Sequence, residues 1–153
     1  TPTEEDLSWL VREYNFHPLA IEDCRNFDQR AKVEPYEGYL FVSVDAVTRN
    51  NGDLTAQELE VFLGPDYLIT LHREPIVALD EMRVRCVSDS RTGKYRTDML
   101  LYQIVDHMVD AIFPLLDEME DEIDDLEDEI LAKPTQASLH RVFNLKRQLG
   151  FLL

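Results

Sequence analysis

Residues 16–44 read FHPLAIEDCRNFDQRAKVEPYEGYLFVSV. This stretch decides the fold and the chemistry, because it sets two adjacent carboxylates, Glu22 and Asp23, at the end of a short helix and then turns to an aromatic-rich strand. Pro18 suits a first helical turn, where its missing N–H is not needed. Asn26 and the polar run to Lys32 end the helix within about three turns. Acids at a helix C-terminus face the negative end of its dipole, at a cost of roughly 0.3–1 kcal/mol for each exposed charge. A bound cation would offset that cost, and simple solvation of two surface acids is the alternative.

Upstream, Thr3-Glu4-Glu5-Asp6 has the form of an N-terminal cap, and Leu7, Leu10, Val11 and Tyr14 follow at helical spacing, so a helix is expected over residues 4–15. Downstream, Tyr39 to Val47 alternates in strand fashion, Asn50-Asn51-Gly52-Asp53 is a turn, and Glu58 to Leu63 is the returning strand of a hairpin. Gly64-Pro65-Asp66 turns the chain into a third strand, Tyr67 to His72. A helix follows Pro75, with Ile76, Leu79 and Met82 on one side, and fades near Ser88. Arg85 to Arg96 reads as a basic, polar loop.

Thr97 opens a long helix carried to about Ala132, on the order of 50 Å at 1.5 Å per residue. Leu101, Val105, Met108, Ile112, Leu115, Met119, Ile123, Leu126 and Ile130 form one stripe at a spacing close to that of a straight helix, so it is expected to lie along a partner. Pro114 is placed to kink it. From Asp117 to Glu129 every position is acidic except Met119, Ile123 and Leu126. That run is either a solvated face or a surface that gathers cations, and like charges at i,i+4 repel by a few tenths of a kcal/mol per pair. Lys133-Pro134-Thr135 breaks the helix. Thr135 caps a last one bearing Leu139, Val142, Leu145 and Leu149 with His140, Arg141, Lys146 and Arg147, so an acidic helix and a basic one are expected to pair as an antiparallel hairpin.

A chain of 153 residues fits one domain able to bury roughly 70% of its unfolded surface. With 31 acids against 15 bases, a formal charge of −16, it is a poor partner for nucleic acid or an anionic membrane surface and a natural one for cations. Cys24 and Cys86 stand far apart and outside any zinc-binding spacing, which points to reduced thiols. His107 beside Asp106 and His17 before the acidic pair invite a zinc reading, but His17 fits better at the start of a helix, His72 on a strand and His140 on a basic face. No nucleophile elbow, phosphate-binding glycine loop or His-Glu-x-x-His helix is present, so no enzymatic activity is expected. No apolar run approaches the roughly 18 residues that cross a bilayer, so a soluble polypeptide is expected. Gly150-Phe151-Leu152-Leu153 reads as mid-helix, which suggests a piece of a longer protein.

The run His17-Pro18-Leu19, Glu22-Asp23, Arg30-x-Lys32-Val33-Glu34-x-Tyr36 resembles the cytoplasmic domain of the CorA family of magnesium channels. Glu60-Val61-Phe62-Leu63-Gly64, Tyr67-Leu68-Ile69-Thr70-Leu71-His72 and Asp98-Leu100-Leu101-Tyr102 leading to Asp106 and Asp110 agree with it in order. The resemblance implies an α/β fold: a layered sheet-and-helix domain over 1–96, with strands missing upstream, and over 97–153 a long acidic helical hairpin leading into a truncated stalk helix of the same domain. It further implies a homopentamer, anchored in the cell inner membrane by a segment beyond residue 153, with this part cytoplasmic.

Divalent ions would bind between neighbouring subunits of such an assembly. Asp23 corresponds to the principal ligand, Glu22 and Asp106 to a second position, and Asp110, one turn on, could assist. The ligand pairing with Asp23 would come from the neighbour's stalk, beyond residue 153. Mg²⁺ is the implied ion, regulatory and transported, with Co²⁺ or another divalent cation also admissible; one or two carboxylates acting partly through water suffice for so reluctantly dehydrated an ion. A related zinc transporter, or an acidic α/β scaffold that binds a basic protein, are the alternatives.

Overall fold

The computed structural model describes residues 2–27, 30–50, 52–88 and 96–152. It is a mixed helix and sheet fold in the order α1 (Glu4–Tyr14), α2 (Pro18–Arg25), β1 (Lys32–Tyr36), β2 (Tyr39–Asn50), β3 (Asp53–Leu63), β4 (Leu68–His72), α3 (Val77–Ser88), α4 (Thr97–Asp110), α5 (Ile112–Ala132) and α6 (Gln136–Leu152). The strands form one antiparallel sheet in the order β1-β2-β3-β4. The register sets Val33 opposite Val42 and Val61 opposite Thr70. The chain divides into two compact units, Thr1–Ala46 with Ala56–Met108, and Val47–Thr55 with Val109–Leu153.

In the first unit the sheet is covered on both faces. Along β2 and β3 successive side chains point to opposite sides. Tyr39, Phe41 and Phe62 join Leu7, Leu10, Phe16, Ala20, Ile21 and Cys24 of the α1–α2 layer. Val42, Ala46, Leu59 and Val61 join Ile76 and Met82 at α3 and Ile104 and Met108 of α4. Phe41 and Phe62 are fully buried, with ring centroids 5.0 Å apart, and each contributes roughly 1.5–3 kcal/mol through the area it removes from water.

Local chemistry fixes the ends of these elements. Thr3 Oγ1 accepts from the Asp6 N–H, and Asp6 Oδ2 accepts from the Thr3 N–H, a reciprocal cap at the start of α1. Gly64 sits in the β3–β4 turn with its N–H on the Tyr67 carbonyl, and a Cβ there would run into the Tyr67 ring.

In the second unit the hairpin tip, where Gly52 adopts φ 91°, buries Leu54 with Met119 and Leu126 of α5 and Leu145 of α6. α5 and α6 fold back on each other across Lys133–Thr135 as an acidic and a basic helix. Thr135 Oγ1 accepts from the Ser138 N–H at 3.0 Å. Glu129 takes the Ser138 hydroxyl at 2.7 Å and Arg141 Nη1 at 2.8 Å; the Ser138 bond first, then Arg141, hold its carboxyl below the usual range. Arg147 pairs with Asp53 of the tip at 3.1 Å.

Several expectations need correction. Lys32 to Tyr36 is strand β1, which adds a fourth strand to the three expected; Pro35 is tolerated because β1 is an outer strand. The single helix over residues 97–132 is two, broken at Ala111: the Pro114 nitrogen has no hydrogen for the Asp110 carbonyl, and its ring presses on that carbonyl. Finally, the span Thr97–Ala132 contains a window long and apolar enough by composition to cross a membrane. Of the Arg85–Arg96 loop, residues 85–88 belong to α3, and 89–95 lie outside the described residues.

Candidate metal centre

His17 caps α2, its Nδ1 accepting from the Leu19 N–H at 3.3 Å, and Pro18 fills the first turn. The Asn26 N–H closes the other end on the carbonyls of Glu22 and Asp23. Ala20, Ile21 and Cys24 face the core, which turns Glu22 to solvent and leaves Asp23 at the boundary.

Asp23 already carries a cation. Lys32 Nζ donates to Asp23 Oδ2 at 2.7 Å, with side-chain exposures of 27% and 17%, low enough that neither charge is fully solvated. Lys32 also lies 3.5 Å from Glu34 Oε1, and the Asp23 bond leads the influences that raise its pKa. The dipole cost expected of an acid at this helix end is thus met from β1, by a residue the sequence reading quoted without pairing it. Arg25, in the same last turn, makes a bidentate bond to Glu4 of α1 at 3.0 and 3.1 Å.

The remaining predicted ligands lie on α4. Asp106 and Asp110 are exposed, and Asp106 shares its side of the helix with the half-exposed Met99 and the largely exposed Tyr102. Because α2 and α4 cover opposite faces of the sheet, one chain does not bring Glu22 and Asp106 together. Among the described residues no three His, Cys, Asp or Glu side chains converge tightly enough to hold a metal. His107 is engaged at both ring nitrogens, by the Gln103 carbonyl at 2.9 Å and by Arg85 Nη2 at 3.1 Å. In one chain Asp23 therefore offers a single carboxylate, already paired with the Lys32 ammonium, and no closed cage for a metal among the described residues.

Two features escaped the sequence reading. One is a cleft of about 380 Å³ lined by Phe27, Asp45, Gln57, Glu58, Arg73 and Glu74, where Arg73 lies over the Phe27 ring at 4.5 Å and donates to the Arg25 carbonyl. Burial first, then Glu58, raises the pKa of Asp45 there. The other is Glu60, a fully buried acid in the apolar run of β3. The sequence places Glu58 and Glu60 two apart on a strand and so on one face, but it carries no signal for the burial of that face or for the cleft.

The CorA-like Mg2+ transporter family model matches residues 1–152, and the chain belongs to that family. It is 34% identical over 139 residues to the cobalt/magnesium transport protein CorA of Thermotoga maritima, covering 89% of this chain and 40% of that protein. It is 30% identical over 148 residues to the putative metal ion transporter YfjQ of Bacillus subtilis, covering 97% and 46%. The chain therefore spans less than half the length of these relatives. Its fold is that of the soluble domain of CorA from Methanocaldococcus jannaschii, at a TM-score of 0.74 and 20% identity, covering 97% of this chain and 60% of that one.

Proposed function

We propose that this chain is the cytoplasmic, divalent-cation-sensing domain of a CorA-like magnesium transporter that works as a homopentamer in the inner membrane. Mg²⁺, with Co²⁺ as a second substrate, bridges acidic faces of adjacent subunits through Asp23 and, at a second position, through Glu22, Asp106 and Asp110. Bound ions hold the pore closed, and their loss leaves carboxylates that repel across the interface and release it. Family membership supports the ion, and one observation carries the site: Asp23 is a half-sequestered carboxylate that already requires a positive partner at 2.7 Å. The separation of Glu22 from Asp106 by the sheet fits ligands that meet only between copies. The domain's part is recognition and coupling, so no enzymatic step is assigned to it.

The test is the Mg²⁺ dependence of stability and assembly in the wild type and in Asp23→Ala with Asp106→Ala. The proposal expects Mg²⁺ to raise the melting temperature and promote association in the wild type, and both effects to vanish in the double variant. A Mg²⁺ response that survives both substitutions contradicts it. Such survival would favour the acidic scaffold reading, supported by the exposed carboxylates of α5.

A further inference from the structure

Glu60 is the most deeply buried acid described, at 0% exposure. Its Oε1 accepts the Ser43 hydroxyl at 3.1 Å, while Oε2 is buried with no hydrogen-bond partner. The groups that face it are acidic or neutral. β3 contributes Glu58, two residues away on the same strand face; β2 contributes Ser43; α2 contributes the Cys24 thiol and the Asp23 carboxylate, whose charge is taken up by Lys32. Asp45 and Arg73 stand with Glu58 at the cleft rather than with Glu60. Two ionised carboxylates side by side are acceptors only, and an ionised Glu60 at this depth would leave a buried oxygen without a donor from the protein.

We propose that Glu58 and Glu60 form a one-proton site between the sheet and α2, in which the Glu60 carboxyl stays protonated at neutral pH and donates from Oε2 to the Glu58 carboxylate. The arrangement satisfies both Glu60 oxygens: Ser43 donates to Oε1, and Oε2 gains a hydrogen to give. Burial above all, with the hydrogen bond and charge of Glu58 next, pushes the Glu60 pKa up to about 9, the Ser43 bond acting against it. The site binds a proton where the α2 layer rests on the sheet, so pH and the packing of α2 are linked. This inference stands independently of the metal reading.

The experiment compares the wild type, Glu60→Gln and Glu58→Gln by thermal melting from pH 5 to 9 and by infrared spectroscopy of the carboxylic acid C=O stretch at pH 7. Glutamine at 60 mimics the neutral acid, so E60Q is expected to melt several degrees higher at pH 8, to lose the decline in melting temperature between pH 5 and 9, and to lack one protonated-carboxyl band present in the wild type. E58Q is expected to move the midpoint of that decline to lower pH. A wild type with no protonated carboxyl band at pH 7 overturns the proposal whether or not the variants fold. So does an E60Q protein that keeps the wild-type pH decline, or an E58Q protein whose midpoint is unmoved.

Discussion

The carboxyls beneath and beside α2 and those of α5 answer the same electrostatic problem in opposite ways. Asp23 and Glu60 lie at or below the surface, and each is dealt with singly: Lys32 neutralises Asp23, and Glu60 takes Ser43 and is raised in pKa to about 9. On α5 the acids of residues 117–129 are mostly exposed and rely on water, with Glu129 taking Arg141 and Glu118 lying 3.3 Å from Arg49. Depth explains the difference. A charge out of water costs several kcal/mol unless it is paired or neutralised, whereas an exposed one costs tenths. A site that must respond to cations profits from the first kind, since replacing one partner there has a large effect.

The contrast breaks most sharply at Glu60. Its proton is held to about pH 9 in the fold and released near 4.5 when unfolded, so the folded state binds more protons between those values. Its stability contribution is complete below about pH 4.5 and is lost as pH rises towards 9. At pH 7 the loss is on the order of 3 kcal/mol. E60Q should recover much of it, seen as a higher urea midpoint at pH 7 and no gain at pH 4.5. An E60Q protein destabilised at both pH values would place Glu60 among the α5 kind.

Next in size is the Asp23–Lys32 pair. Lys32→Met strands a carboxylate that is largely shielded from water, at an expected cost of about 1–3 kcal/mol in urea unfolding without divalent ions. Added Mg²⁺ should restore more of that stability in the variant than it adds to the wild type, because the ion and the ammonium compete for one carboxylate. Equal Mg²⁺ increments in the two proteins would separate Asp23 from the ion. Glu129→Gln weakens the interactions that receive Ser138 and Arg141 and should have a smaller effect than Lys32→Met, read as earlier melting of the α5–α6 hairpin by circular dichroism.

The smallest effect belongs to α5 itself. Asp124→Asn removes a like-charge neighbour of Glu120 and Asp128 and should stabilise by a few tenths of a kcal/mol at low salt. That gain should fade in 0.5 M NaCl, where screening has already removed the repulsion. A gain undiminished by salt would mean that α5 is not merely solvated.

Much of this was legible in the chain. The cap at Thr3, Pro18 in the first turn of α2, the alternation from Tyr39, the turn glycine Gly52 and the breaks at Gly64 and Pro134 each named an element from local chemistry alone. β1 was hidden because an outer strand with Pro35 among alternating charges has little hydrophobic pattern of its own; it exists through its pairing with β2. Hidden with it was the role of Lys32, which reaches Asp23 only once residues 32–36 are extended. Glu60 was unreadable as a buried acid because burial of both faces of β3 follows from α1 and α2 on one side and α3 and α4 on the other, a tertiary fact. Pro114 was visible, and the residue at which it would end α4 was not.

The most direct test of the central claim is calorimetric Mg²⁺ binding to the purified protein in the wild type and in Asp23→Asn. The account predicts saturable uptake by the wild type and at least a tenfold weaker association, about 1.4 kcal/mol, when the carboxylate at 23 is made neutral. Uptake of equal strength in both proteins would contradict it.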